Sequence, residues 1–125
     1  MKFLLDTNFL MIPAQFRVDV YEQLRGFGPS DFFVSELSVK ELEKIAKGRG
    51  KAGSQARVAL LLLKKEGVKV IPSGKTKHAD ESIRRIAKRE GMIVCTMDKT
   101  LKARLRGAGI RVIVLRQRRH LGFEA

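Results

Sequence analysis

Four acidic residues, Asp6, Glu41, Asp80 and Asp98, stand far apart in a chain that is otherwise strongly basic. Asp6 and Asp98 follow apolar, strand-like runs, and Glu41 and Asp80 stand where helices are expected to open. In an open α/β sheet, ligands bind beyond the carboxyl ends of the strands, so residues that end two different strands can meet although far apart in sequence. Carboxylates gathered at one point make a metal site. Four of them, ionised and about 5 Å apart, would repel by roughly 3 kcal/mol per pair at an effective dielectric of about 20. Such a cluster requires cations, and its all-oxygen chemistry selects a hard ion, Mg²⁺ or Mn²⁺, completed by water and by phosphate oxygens of a substrate.

Each acid alone also has a local explanation. Asp6-Thr7-Asn8 fits an Asx-type turn or a helix cap, and Ser38-Val39-Lys40-Glu41 fits a capping box. Asp80 suits the positive end of a helix dipole, and Asp98 can cap a helix that begins near Lys99. These readings leave the joint pattern unexplained. The two strand-ending acids fall on strands that a doubly wound sheet places side by side, and the helical acids open toward the same edge.

The elements that must position them alternate along the chain. Apolar runs at Lys2–Leu5, Phe32–Val34, Val68–Ile71, Met92–Cys95 and Arg111–Leu115 read as five strands. Between them, helical spacing appears at Val20, Leu24 and Phe27, at Leu42, Ile45 and Ala46, at Ala56, Ala59, Leu60 and Leu63, at Ile83, Ile86 and Ala87, and at Leu101 and Leu105. Leu61 and Leu62 widen the third stripe, which makes it a candidate dimer interface. Gly91 is placed to cap the helix before Met92. Nearly continuous apolar strands are expected when helices cover both faces of a parallel sheet, so the reading is one doubly wound α/β domain over residues 1–125.

Charge points to the partner. The chain has 26 Lys and Arg against 13 Asp and Glu, a formal net charge of +13, yet 44% of it is hydrophobic, so it is expected to fold and to attract polyanions. With the four acids held inward, a negative hole sits inside a positive rim, and nucleic acid suits that rim. From Lys44 to Lys65 there are seven bases and no acid. Within that stretch Lys47, Arg49 and Lys51 lie in a Gly-rich segment expected to be a flexible RNA clamp. A second basic segment at 116–125 carries Arg116, Arg118 and Arg119, which are expected to extend beyond the sheet and meet phosphates or unpaired bases.

Other chemistries lack their residues. The Gly-rich segment has no GxxxxGK[ST] spacing, and at Gly74-Lys75-Thr76 the place of the first glycine is taken by Lys69, so nucleotide hydrolysis is not expected. His78 and His120 have no motif around them and read as surface residues. Cys95 lies in an apolar run and reads as a buried thiol. The longest apolar run, Val58–Leu63, is too short for a bilayer, and no signal-peptide pattern opens the chain, so a cytoplasmic protein without a membrane partner is expected.

Leu4-Leu5-Asp6-Thr7-Asn8, Val39-Lys40-Glu41-Leu42, Ala79-Asp80-Glu81-Ser82-Ile83 and Thr96-Met97-Asp98-Lys99-Thr100-Leu101 resemble, in order, the acidic motifs of PIN-domain nucleases, and Gly109–Leu115 resembles their closing strand. The resemblance implies a three-layer α/β/α fold around a mostly parallel five-stranded sheet, frequent homodimers, and endoribonuclease activity dependent on Mg²⁺ or Mn²⁺. It implies that Asp6, Glu41, Asp80 and Asp98 are catalytic metal ligands supported by Thr7, Asn8 and Thr96. Met97 departs from the polar residue that often precedes the last aspartate. The basic insert and arginine tail resemble the branch that processes ribosomal RNA, with a ribosome-assembly protein as partner. A VapC-type toxin ribonuclease silenced by an antitoxin is the alternative within the same chemistry, and a noncatalytic RNA-binding assembly module is the alternative outside it.

Overall fold

In the computed structural model, which describes residues 1–124, the central sheet has six strands in the order β3-β2-β1-β4-β5-β6. They are β1 (Lys2–Leu5), β2 (Asp31–Ser35), β3 (Lys69–Ile71), β4 (Ile93–Cys95), β5 (Val112–Arg116) and β6 (His120–Phe123). The first five run parallel, and β6 pairs antiparallel with β5. Chain order runs outward from β1 in both directions, so the topological switch point lies between β1 and β4. Leu5 is level with Cys95 across that junction, which brings the chain leaving each strand to the same edge.

Strand alternation divides the core in two. Phe3, Leu5, Ile93, Cys95, Ile113 and Leu115 point to one face; Leu4, Val94, Val112 and Val114 point to the other. The first face is covered by α1 (Thr7–Leu10), α2 (Ile12–Phe16), α3 (Val20–Arg25), α4 (Glu36–Ala46) and α5 (Gly50–Lys65). The second is covered by α6 (Ala79–Glu90) and α7 (Lys99–Gly107). This is the expected three-layer α/β/α arrangement, and Cys95 is the fully buried thiol anticipated for it. Burial raises the Cys95 pKa well above the ordinary thiol range. No helix among the described residues is long and apolar enough to cross a membrane.

Several expectations change. The sheet has six strands, not five, because the basic segment folds back at Gln117-Arg118 instead of extending; residue 125 lies outside the described residues. Residues 7–16, where only Asp6-Thr7-Asn8 reads as a turn or helix cap, form two short helices that bury Phe9, Leu10 and Ile12, with Asp6 as the cap of the first. Phe27 lies beyond α3 and packs edge-on against Phe123 at 5.3 Å. The Gly-rich segment is a tight helix corner, with Gly50–Ser54 already inside α5. There the Arg57 guanidinium donates to the Ala46 and Gly48 carbonyls, and a Cβ at Gly53 would overlap the Gly48 carbonyl oxygen. Side chains on the widened face of α5 remain exposed, with Leu61 at 70% and Val58 at 41%.

Candidate active site

Asp6 leaves the end of β1 in extended conformation and is 7% exposed. Its Oδ1 accepts the Thr7 amide at 2.8 Å and its Oδ2 accepts the Thr96 hydroxyl at 2.7 Å. Thr96 follows β4, and its Oγ1 also accepts the Asp98 amide at 3.1 Å. Asp98 caps α7, its Oδ1 accepting the Leu101 amide at 2.9 Å. Asn8 ties the same two segments together, its Oδ1 accepting the Met97 amide at 3.1 Å. The structure thus places all three polar residues read as supports, Thr7, Asn8 and Thr96, in contacts that align the acids or the chain beside them.

Glu41 arrives differently from the expected capping box. The helix starts straight after β2, with Ser35 as its cap accepting the Ser38 amide at 3.1 Å, so Glu41 lies in the second turn of α4. Ser38 sits inside the helix, its Oγ receiving the Ser35 hydroxyl. Thr7 Oγ1 reaches Glu41 Oε2 and the Ser38 carbonyl, both at 3.4 Å, bridging the β1 end to α4. Asp80 stands in the first turn of α6, as expected.

The acids feel one another. Burial pushes Asp6 up to about 6, with the negative charges of Asp80 and Glu41 adding to the rise and the Thr96 and Thr7 hydrogen bonds opposing it. Asp80 is also raised, by burial and then by Asp98, while Arg104 pulls it down. A buried carboxylate crowded by like charge is the electrostatic state that a divalent cation relieves. The donor set is anionic oxygen throughout and fits a hard ion. As placed, no three Asp, Glu, His or Cys side chains among the described residues are grouped tightly enough to ligate one ion together.

An open cleft of about 730 Å³ lies between α4 and α6, with Glu41 and Asp80 in its lining. Its walls add Lys40, Lys44, Lys77, His78 and Arg104, which sequence reading did not assign to the site. Lys40 and Lys44 carried a usable signal, standing one turn apart on either side of Glu41. Arg104 carried none, because only the packing of α7 brings it to the cleft. Glu81 is taken up by Arg84 and Arg85, at 2.7 and 3.0 Å. Both histidines are exposed, as expected, although His78 belongs to the cleft.

The basic residues assigned to RNA divide. Lys47, Arg49 and Lys51 are exposed around the α4–α5 corner, and Arg118 and Arg119 are exposed at the β5–β6 turn. Arg116 is engaged inside the hairpin, donating to the Phe123 carbonyl at 2.7 Å. Met97, 36% exposed, fills the space beside β5, its sulfur accepting the Leu115 amide at 3.2 Å.

Comparison with known proteins places this geometry in a family. Residues 3–118 match the family described as PIN like domain. Ribonuclease VapC9 of Archaeoglobus fulgidus is 37% identical over 120 residues, covering 95% of this chain and 86% of the relative. The rRNA-processing protein fcf1 of Schizosaccharomyces pombe is 31% identical over 107 residues, covering 82% of this chain and 52% of that protein. Among solved structures, the PIN domain endonuclease Utp24 aligns with a TM-score of 0.82 and 27% identity, over 98% of this chain and 90% of that one. VapBC-1 from nontypeable Haemophilus influenzae aligns at 0.65 with 19% identity, over 90% and 96% of the two chains, a likeness of fold alone. The chain therefore belongs to the PIN-domain ribonuclease family.

Proposed function

We propose that the protein is an endoribonuclease dependent on Mg²⁺ or Mn²⁺ that hydrolyses phosphodiester bonds in structured RNA, in the processing of ribosomal RNA. The observation that carries this reading is the junction at the β1–β4 switch point, where Thr96 binds Asp6 and the Asp98 amide while Thr7 spans to Glu41. Asp6, Glu41, Asp80 and Asp98 are the residues that would hold the metal. A divalent cation there supplies an activated water and neutralises charge on the scissile phosphate. The chain's own part is to aim the acids: threonine hydroxyls hold Asp6 and Glu41, and the start of α7 fixes Asp98. Lys40, Lys44, Lys77 and Arg104 attract the RNA backbone into the cleft while the acids repel it locally, so phosphate enters only where cation is held.

Likeness to the rRNA-processing protein fcf1 supports the ribosomal role, with an assembly protein delivering the RNA, and likeness to the PIN domain endonuclease Utp24 supports internal cleavage. The higher identity to VapC9 supports a second reading, a toxin ribonuclease silenced by an antitoxin; growth arrest on expression, relieved by a co-expressed antitoxin, would favour it. Both readings take residues 1–125 as one catalytic domain in the cytoplasm. A homodimer through the exposed Val58–Leu61 face of α5 accompanies either and is tested by light scattering.

The deciding experiment is cleavage of structured ribosomal and transfer RNAs with Mg²⁺, Mn²⁺ or EDTA, for the wild type and Asp98→Asn. Metal-dependent cutting that disappears in the variant is expected. Binding without cutting in both proteins would transfer the assignment to a noncatalytic RNA-binding assembly module.

A further inference from the structure

We infer that the β5–β6 turn and Phe16 form a base-stacking subsite for an unpaired nucleotide of the substrate strand; this rests on the RNA reading above and names a subsite outside the carboxylate cleft. Among the described residues, the only non-glycine positions with positive φ are Arg17 (55°), Gln117 (53°) and Arg118 (56°); Arg17 and Arg118 line one cleft, and Gln117 precedes Arg118 in the turn. Left-handed backbone crowds the Cβ of an L-residue against the following carbonyl oxygen and is strained. Three residues link the paired Arg116 and His120, and the β-turn Arg116–Arg119 among them has both central residues at positive φ, a geometry that normally carries Asn-Gly but here carries Gln-Arg. The strain is retained where it displays a long cationic side chain, which is the usual setting of a ligand site.

What is displayed has the form of a stacking platform. The Arg118 guanidinium lies over the Phe16 ring, 5.5 Å from its centroid, and Phe16 remains 39% exposed. A guanidinium plane backed by an aromatic ring presents a flat outer surface, and unpaired bases stack on such surfaces irrespective of sequence. Arg17 and Arg119 line the same cleft of about 350 Å³, where they would meet the phosphates adjoining a stacked base. Asp19 and Glu22 line the same cleft, which confines the backbone to the arginine side.

The platform is held rigidly and faces the right edge. Gln23 on α3 donates from Nε2 to the Arg119 carbonyl and accepts the Leu121 amide on Oε1, both at 2.8 Å, clamping the hairpin to α3. Because β5 runs parallel to β1 and β4, its turn rises at the same carboxyl edge as Asp6 and Asp98. The end of β4 is level with Ile113, so β5 runs four residues further before the turn, about 13 Å along the strand, with Met97 beside Leu115 in between. A strand lying over the acids can therefore continue onto Arg118.

The test is binding in EDTA, where cleavage is suppressed, of a short single-stranded RNA and of an abasic strand of equal length and charge. The wild type is expected to prefer the base-bearing strand by at least about fivefold. Arg118→Gly is expected to lose that preference while melting at the same or a higher temperature, since glycine accepts the left-handed conformation. Arg118→Lys keeps the charge and is expected to lose the preference with less loss of total affinity, and Phe16→Leu is expected to behave likewise. Undiminished preference in Arg118→Gly would overturn the subsite. So would equal binding of both strands by the wild type, which leaves the RNA reading standing as charge recognition. Binding of neither strand would overturn the RNA reading itself and the subsite with it.

Discussion

Thr96 and Asp6 are joined by a 2.7 Å hydrogen bond across 90 positions of sequence, and the same Thr96 oxygen receives the Asp98 amide. One buried hydroxyl thus sets the spacing of the two strand-ending acids. Thr96→Val removes its donor and its acceptor together, leaves Asp6 without its strongest opposing influence, and is expected to destabilise the protein by about 1–3 kcal/mol. RNA cleavage should fall by at least about tenfold. Thr96→Ser restores both bonds and should recover both properties; chemical denaturation and cleavage rates read the two effects separately.

Asp6 makes the metal-free protein sensitive to pH in a direction opposite to ordinary acid denaturation. Its folded-state pKa is about 6, against 3.8 for a free aspartate, so the folded form binds the extra proton. The stability linked to this group is fully present below pH 3.8 and is lost as pH rises through 6, reaching about 3 kcal/mol at neutral pH. Asp6→Asn should therefore be more stable than wild type near pH 7 in EDTA, and the difference should vanish near pH 4. Added Mn²⁺ should raise the wild-type melting temperature more than that of the variant. A variant less stable than wild type at neutral pH would contradict the electrostatic account.

Asp98 has two duties that substitution can separate. As the cap of α7 it accepts the Leu101 amide, which an asparagine can also do. Asp98→Asn should change stability by less than about 0.5 kcal/mol, whereas Asp98→Ala should cost about 1 kcal/mol. Both should abolish cleavage. Retained cutting in Asp98→Asn would reduce this residue to a helix cap.

The α4–α5 corner should resist even the smallest side chain. In a solvent-exposed helix, glycine to alanine gains up to about 1 kcal/mol in propensity. At Gly53 the new methyl meets the Gly48 carbonyl, a backbone group fixed by Arg57. Gly53→Ala is therefore expected to destabilise by about 1–3 kcal/mol. Thermal melting at equal or higher temperature would mean that the corner yields.

Much of this site was legible because acids that follow apolar strands are conspicuous. Asp6 and Asp98 are visible from strand ends alone, and the parallel sheet does the rest. Glu41 was legible by type but not by phase: both Ser35 and Ser38 can cap a helix, and only the direct passage from β2 into α4 selects Ser35. The sixth strand was hidden because Gln117-Arg118 carries none of the usual turn residues, so its basic run resembles a solvated tail. The corner around Gly53 was misread for a related reason, since small residues that allow close helix approach look the same in sequence as those that allow flexibility.

The closure of that corner bears on where RNA lies. If the backbone runs through the cleft, Lys44 on α4 and Arg104 on α7 face it from separate elements, while Lys47, Arg49 and Lys51 stand outside around the corner. Each lost phosphate contact should lower the salt slope of binding by about 1, whatever the RNA sequence. Lys44→Ala and Arg104→Ala should each do so, and the double variant should sum the two effects, because their side chains arise from different helices. Arg104→Ala should in addition raise the pKa of Asp80 further, since the guanidinium is what holds it down. Substituting Lys47, Arg49 and Lys51 together should lower the slope by less than the cleft pair does. A larger effect from the corner than from the cleft, measured by filter binding at several salt concentrations, would place the RNA over α5 and away from the acids.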